Sequence, residues 1–147
     1  MALAARGHAV RGTTRDESRI EELERAGIEP VLADPDRVAT LARAFEHVTV
    51  ACVLLGSATG RAEEVSALHS TRLQMLLGRM LDSTVRGVVY EASGSVARSL
   101  LAAGARIVQA ACDDSETPHA LLRTEPHDHS SWLREASSAA SGLLEAG

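Results

Sequence analysis

This chain of 147 residues contains no lysine and no asparagine, and its fifteen basic residues are all arginine. The absence of lysine excludes Schiff-base chemistry, a phosphate-loop lysine and a catalytic Tyr/Lys pair. The sequence has only one Phe, one Tyr and one Trp. Its hydrophobic core is therefore expected to be aliphatic.

Charge, cysteine content and the length of apolar runs narrow the class of protein further. The formal net charge of −5 leaves no basic excess to neutralise phosphates, which argues against nucleic-acid binding. Cys52 and Cys112 are the two cysteines, and without a signal peptide they fit reduced thiols in the cytoplasm. No apolar run approaches the roughly 18 residues of a membrane span. We expect a cytoplasmic protein in a single domain over 1–147.

Strand-like and helix-like segments alternate along the sequence. Strands are predicted at 8–14, 28–33, 48–55, 86–92 and 118–124. Helices are predicted at 16–26, 36–46, 62–83, 96–113 (one helix or two, broken near Gly104) and 130–145. The continuous apolar run at 48–55 is typical of a parallel strand buried on both faces. The order predicts an α/β fold with a parallel sheet covered on both sides.

Four segments, HAVRGTTR, ADPDRVATL, VACVLLGSATG and VRGVVYEASGSV, occur in an order that resembles the short-chain dehydrogenase/reductase superfamily. The similarity is to its extended and atypical branch, which includes nucleotide-sugar epimerase-like proteins. It implies a Rossmann-like, doubly wound parallel sheet in three layers that binds NADP or NAD. It also implies a small-molecule substrate, which the sequence does not identify.

Members of this superfamily open with a strand and a TGGxGxxG-type turn, whereas MALAARGHAV resembles the end of the first helix followed by the second strand. We therefore expect a partial domain that lacks the first strand and the glycine-rich loop, through a misplaced start codon or a truncated gene. In the doubly wound order the first strand lies between the strands at 8–14 and 48–55. Without it, both strands are left with an unpaired edge and cofactor binding is expected to be impaired.

The resemblance assigns adenosine-binding roles to residues at the ends of the first two predicted strands. Thr14 and Arg15 end the first, where an arginine would pair with the 2′-phosphate of NADP. The alternative for Arg15 is a solvated side chain ahead of a helix. Asp34, followed by Pro35, matches the family acid that contacts the adenine amino group; the alternative is that Asp34 caps the turn.

The resemblance also assigns roles to two later loops. Leu55, Gly56 and Ser57 would pass beneath the adenine ribose, with Gly56 allowing close approach, or they form a plain strand-to-loop turn. Ser93 lies where the family has its catalytic serine. The family's partner is a Tyr-x-x-x-Lys pair on the next helix, whereas the single tyrosine here, Tyr90, lies within a strand. Ser93 is therefore either catalytic or a turn and capping residue.

The histidines permit one test for a metal site. His127 and His129 flank Asp128, and a His-x-His pair can bind metal, although no third ligand is evident. The alternative is a helix entry capped by Asp128, with Trp132 as a packing anchor. His69 is interpreted as a surface or core residue.

These observations favour two functions from different classes. The first is an NADP-dependent oxidoreductase or epimerase-like protein, which the resemblance implies. The second is a non-catalytic dinucleotide-binding sensor or regulatory protein, which the missing Tyr/Lys pair favours. A receiver-type signalling domain is disfavoured because it needs a lysine. The helix at 62–83 would supply an apolar strip for a homodimer.

Overall fold

The computed structural model describes residues 2–146, in which five β-strands form two parallel sheets. The strands are β1 (Arg11–Thr14), β2 (Glu29–Leu32), β3 (Val50–Val53), β4 (Gly87–Glu91) and β5 (His119–Leu122). β1 pairs with β2, and β4 lies between β3 and β5 in the second sheet; every pairing is parallel. The predicted α/β fold with parallel strands is confirmed.

Helical segments connect the strands. They are α1 (Ala2–Ala5), α2 (Ile20–Arg25), α3 (Ala62–Leu68), α4 (Thr71–Leu81), α5 (Arg98–Asp114) and α6 (His129–Ala146), with 3-10 helices at Glu17–Arg19 and Val38–Phe45. Asp16 caps the first crossover, because its carboxylate accepts the Ser18 N–H at 2.9 Å. Gly27, with a φ of 76°, ends that crossover in the left-handed region. Within residues 2–146, no helix has the length and apolarity to span a membrane.

The helix predicted at 62–83 differs from the structure, and of the alternatives left open near Gly104 the single helix is observed. The segment 62–83 is not one helix, because α3 ends before His69 and α4 begins at Thr71. At this break the imidazole of His69 turns into the core and bonds Tyr90 and a loop carbonyl. Conversely, α5 passes through Gly104 without a break. The absence of a side chain there makes room for the Tyr90 hydroxyl, since a Cβ on Gly104 would lie 2.0 Å from it.

The crossover between β2 and β3 is a 3-10 helix rather than the predicted α-helix at 36–46. In its first turn, the Thr40 hydroxyl donates to the Arg37 carbonyl at 2.7 Å and accepts the Asp34 N–H at 2.9 Å. These short-range bonds tie the segment to the end of β2 and favour the tighter winding. The segment still buries an apolar face, formed by Val38, Leu41, Ala44 and Phe45.

β1 and β3 are edge strands, because within the described residues each pairs on one side only. The expectation that both strands have an unpaired edge is therefore confirmed for residues 2–146. The expectation that 48–55 is buried on both faces is wrong: Ala51 and Val53 are buried, but Cys52 is exposed and Leu54 is 45% exposed. On that second face, Val50 is the one β3 residue that packs with the apolar residues of α6. Cys52 and Leu54 are left uncovered.

The sheets are covered by helices in three layers, and one core joins the two sheets. Alternate β4 residues face opposite sides, as strand geometry requires. On one side, Val88 and Tyr90 pack in a cluster that also contains Ala33, Val53, Leu73, Leu77 and Val108. On the other side, Val89 packs with Leu122, Leu143 and Trp132. The cluster around Val88 and Tyr90 includes residues from the ends of both β2 and β3, so the two strands lie over the same helical layer. Among residues 2–146, no hydrogen-bonded ladder connects their sheets.

Candidate functional site

The loops that follow β3 and β4 press against each other at the carboxyl edge of the sheet. A Cβ on Gly56 would lie 1.8 Å from the Ser93 carbonyl oxygen, and one on Gly94 would lie 2.2 Å from the Gly56 carbonyl oxygen. The Val96 N–H donates to the same Gly56 carbonyl at 3.0 Å. The close approach at Gly56 is thus to a neighbouring loop, and its approach to a cofactor stays a prediction. Open α/β sheets bind ligands at this edge.

The peptide bond between Leu55 and Gly56 is hydrogen-bonded at both ends by buried side chains. Glu91 Oε1 accepts the Gly56 N–H at 2.8 Å. His69 Nε2 lies 2.9 Å from the Leu55 carbonyl oxygen. Because a carbonyl oxygen only accepts, Nε2 carries the proton. Nδ1, which lies 2.6 Å from Tyr90 Oη, then accepts from the phenol.

Burial sets the protonation state of the His69–Tyr90 pair, whose members are 1% and 0% exposed. Burial lowers the pKa of His69, and the bond to the Leu55 carbonyl only partly opposes this. Burial, together with the nearby charge of Glu91, raises the pKa of Tyr90 to about 12. Both groups are therefore neutral at pH 7, and the phenol faces the core rather than the carboxyl edge.

Glu91 is a buried carboxylate with a donor on each oxygen. Besides the Gly56 N–H on Oε1, Trp132 Nε1 donates to Oε2 at 2.8 Å. Trp132 also packs in the apolar cluster beneath α6, so its predicted role as a packing anchor is confirmed. Through Glu91 the start of α6 is tied to the loop after β3.

Ser93 is buried, and its hydroxyl donates to the Thr124 carbonyl at 2.7 Å. The loop containing Thr124 is held in turn by Glu135, which accepts the Arg123 N–H at 2.5 Å, the Thr124 N–H at 3.0 Å and the Thr124 hydroxyl. Burial opposes ionisation of Glu135, but the bonds from Thr124 and Arg123 lower its pKa overall. The hydrogen bond from the Ser93 hydroxyl thus connects the loop after β4 to the loop after β5. The catalytic role of Ser93 toward a substrate stays a prediction.

A second group of predicted site residues lies at the carboxyl ends of β1 and β2. The Ala33 N–H donates to the Thr14 carbonyl at 2.9 Å, which holds the two strand ends side by side. Thr14 Oγ1 also accepts the Asp16 N–H at 3.1 Å. The Arg15 side chain is exposed, and within residues 2–146 it forms no ion pair.

Asp34 and Pro35 form the turn that follows β2. Asp34 Oδ1 accepts the Asp36 N–H at 2.9 Å, so the capping role considered as an alternative is present. Asp34 also forms an isolated antiparallel bridge with Arg37. The predicted contact of Asp34 with adenine stays a prediction.

The structure brings Leu55, Gly56, Ser57 and Ser93 together, because the Ser57 hydroxyl accepts the Ser95 N–H at 3.3 Å beside the Gly56 contact. Thr14, Arg15, Asp34 and Pro35 lie in the turns that end the separate β1–β2 sheet.

Sequence reasoning missed three residues that hold this edge together: His69, Glu91 and Glu135. For Glu91 a signal was available. It is a carboxylate in an otherwise apolar strand, and a buried charge requires partners. The other two have no local signal, because their partners are distant in the sequence.

The segment around His127 and His129 forms a helix entry. Asp128 Oδ1 accepts the Ser131 N–H at 3.4 Å, and the Asp128 carbonyl accepts the Trp132 N–H at 2.9 Å. Across residues 2–146 no three His, Cys, Asp or Glu side chains cluster in a way that could hold a metal ion.

Several solved structures share this fold at low sequence identity. A short-chain dehydrogenase/reductase superfamily protein from Agrobacterium tumefaciens with bound NAD is 18% identical, with a TM-score of 0.66 over 83% of this chain and 43% of that chain. UDP-glucuronic acid 4-epimerase from Bacillus cereus in complex with NAD is 12% identical, with a TM-score of 0.63 over 82% and 49%. Triphenylmethane reductase from Citrobacter sp., complexed with NADP(H), is 18% identical, with a TM-score of 0.58 over 78% and 39%. The chain therefore spans less than half the length of these proteins, and the likeness shows a Rossmann-like fold.

No curated protein sequence matches the chain. A sequence family described as NAD(P)H-binding matches residues 1–140. This match agrees with the predicted NADP or NAD cofactor and with the resemblance carried by the four sequence segments. The chain therefore belongs to the NAD(P)H-binding family.

Proposed function

We propose that this chain is the nucleotide-binding part of an NADP-dependent oxidoreductase or epimerase-like protein of the atypical short-chain dehydrogenase/reductase branch. The observation that carries the choice of NADP is Arg15. Its guanidinium is exposed and without an ion-pair partner in residues 2–146, directly after β1. In a Rossmann-like sheet an arginine near the ribose accommodates the 2′-phosphate of NADP, and its planar fork suits bidentate binding of phosphate.

Around that guanidinium, the residues proposed to contact the adenosine half of the cofactor lie on both sheets. Thr14, Asp34 and Pro35 lie in the two adjacent turns after β1 and β2. Leu55, Gly56 and Ser57 follow β3 at the carboxyl edge, where the missing side chain of Gly56 lets this loop pack on the Ser93 carbonyl. The four-residue strands β1 and β3 have no strand of residues 2–146 between them. We therefore propose that 1–147 acts as one partial domain of impaired affinity.

Titration with NADPH and NADH, followed by cofactor fluorescence, tests this proposal. We expect Arg15→Ala to weaken NADPH binding about 10- to 100-fold, because a charged hydrogen bond contributes about 1.5–3 kcal/mol. NADH binding should not change, because NADH has no 2′-phosphate. The matched control is Arg79→Ala, which removes an exposed arginine from α4. Absence of binding of either cofactor at millimolar concentration would overturn the proposal.

A second candidate is a non-catalytic dinucleotide-binding sensor or regulatory protein. The observation that favours it is the position of Tyr90, whose buried phenol is hydrogen-bonded to His69. Burial and the charge of Glu91 raise the pKa of Tyr90 to about 12. Such a phenol is not available to exchange protons with a substrate. NADPH oxidation against a panel of carbonyl compounds separates the two candidates. Turnover that Ser93→Ala abolishes would favour the oxidoreductase.

A further inference from the structure

The Leu55–Gly56 peptide is held from both faces of the sheet by consecutive residues of β4. Tyr90 and Glu91 project to opposite faces, as neighbours on a strand do. On one face the chain of contacts runs from Tyr90 through His69 to the Leu55 carbonyl, with distances of 2.6 and 2.9 Å. On the other face Glu91 binds the Gly56 N–H at 2.8 Å. The peptide plane therefore has little freedom to rotate.

Every polar atom of the two holding side chains is occupied. Both nitrogens of His69 have partners, and both oxygens of Glu91 accept a hydrogen bond. The Tyr90 hydroxyl that bonds His69 is itself closely packed, because a Cβ on Gly104 would lie 2.0 Å from it. Buried networks that are fully satisfied make a local structure rigid and specific.

We propose that His69 and Glu91 are positioning residues that clamp the Leu55–Gly56 peptide and thereby set the affinity of this edge for the dinucleotide. The inference rests on the proposed function, because it takes Leu55, Gly56 and Ser57 as cofactor contacts. A backbone surface held in its binding geometry before the ligand arrives avoids the ordering cost of association. If either hydrogen bond to the peptide is removed, the peptide must be ordered when the dinucleotide binds, and the affinity falls.

The test compares NADPH affinity in three variants whose folding is verified by circular dichroism and thermal melting. His69→Leu removes both hydrogen bonds. His69→Gln keeps an N–H donor near the position of Nε2. Val108→Ala is the matched control, because Val108 is fully buried in the same core cluster as Tyr90 and its side chain has no polar atom to bond the peptide.

We expect the dissociation constant for NADPH to rise at least tenfold in His69→Leu and to return to within about threefold of the wild type in His69→Gln. Val108→Ala should bind as the wild type does while melting at a lower temperature. A folded His69→Leu protein with unchanged affinity would overturn the clamp and leave the proposed function standing. Equal losses in His69→Leu, His69→Gln and Val108→Ala would also overturn it, since they would reflect loss of stability alone.

A measurement on the wild-type protein keeps the inference testable if His69→Leu does not fold. The 15N spectrum of the imidazole should show neutral His69 with its proton on Nε2 at pH 7.5, and Tyr90→Phe should disturb that signal and weaken NADPH binding. A proton on Nδ1 would overturn the clamp, whatever the affinity. If the wild type binds neither NADPH nor NADH, the proposed function and the clamp's role in affinity fail together.

Discussion

His69 illustrates why the site residues were harder to foresee than the strands. A histidine in an amphipathic segment has no local mark that distinguishes a surface position from a core position. What decides its place is a pair of partners that lie 14 and 21 residues away, the Leu55 carbonyl and the Tyr90 hydroxyl. Arg15 is the opposite case. Its proposed role is implied by the family resemblance, and the strand end that places it is a local feature of the sequence.

The burial of His69 makes a prediction about the pH dependence of stability. In the unfolded chain its pKa is near 6.5, whereas burial lowers the pKa of His69 in the folded protein. Below about pH 6.5 the unfolded state therefore binds more protons than the folded state, and the free energy of unfolding falls as the pH drops toward the folded-state pKa. The contribution of neutral, buried His69 to the free energy of unfolding is fully present above about pH 6.5.

Urea unfolding between pH 7.5 and 5 measures this effect as the difference between the wild type and His69→Gln. The other five histidines are common to both proteins, so the difference reports His69. We expect the wild type to lose more unfolding free energy on acidification than the variant does. Parallel pH profiles would show that His69 is not held neutral in the fold.

At the scale of elements, all five strands lie within their predicted segments. They could be predicted because short strand-like stretches alternate with helix-like ones, which is a local pattern, although β1 itself (Arg11–Thr14) contains no large apolar residue. The single helix at 62–83 and the burial of 48–55 on both faces were wrong for tertiary reasons, and of the alternatives left open near Gly104 the unbroken helix is the one observed. α3 and α4 divide where His69 turns inward, although the apolar spacing continues through the break. α5 continues through Gly104, although glycine usually weakens a helix. The burial of 48–55 was overestimated, because no covering layer lies over Leu54.

Packing of α5 on β4 predicts opposite effects for two helical glycines. A Cβ on Gly104 would lie 2.0 Å from the Tyr90 hydroxyl and 2.7 Å from its Cζ, whereas one on Gly142 in α6 meets nothing within 4 Å. Overpacking costs about 1–3 kcal/mol, which outweighs the gain of up to about 1 kcal/mol from replacing glycine in a helix. We therefore expect Gly104→Ala to lower the free energy of unfolding and Gly142→Ala to raise it slightly.

Chemical denaturation of the two variants against the wild type provides the measurement. Both substitutions replace a glycine by an alanine within a long helix, Gly104 in α5 and Gly142 in α6, so the gain in intrinsic helix propensity is similar. The difference between them isolates the contact with Tyr90. Equal changes in the two variants would contradict this packing between α5 and β4.

At the scale of the whole molecule, residues 2–146 form two parallel sheets on one core, and each sheet has strands that are unpaired along one edge. An edge strand carries a row of free N–H and C=O groups that can pair with another chain. On β3 and in the residue after it this edge is accompanied by exposed Cys52 and by Leu54 at 45% exposure. A homodimer through the helix at 62–83 is the competing prediction. The apolar strip of α4 is buried in the core, because Leu73, Leu76, Leu77 and Met80 are all buried, so the exposed apolar residue of α4 is Met75, at 53%.

Sedimentation velocity over a range of concentrations distinguishes these two surfaces. We expect the protein to self-associate through the β3 edge, so that Leu54→Lys weakens association more than Met75→Lys does. A lysine beside an exposed edge places a charge where a second strand would have to pair, and natural proteins protect edges in this way. Both substitutions replace an exposed apolar side chain with the same charge, so each serves as the control for the other. A larger effect of Met75→Lys would assign association to the α4 face, and a wild type that stays monomeric at every concentration would contradict both surfaces.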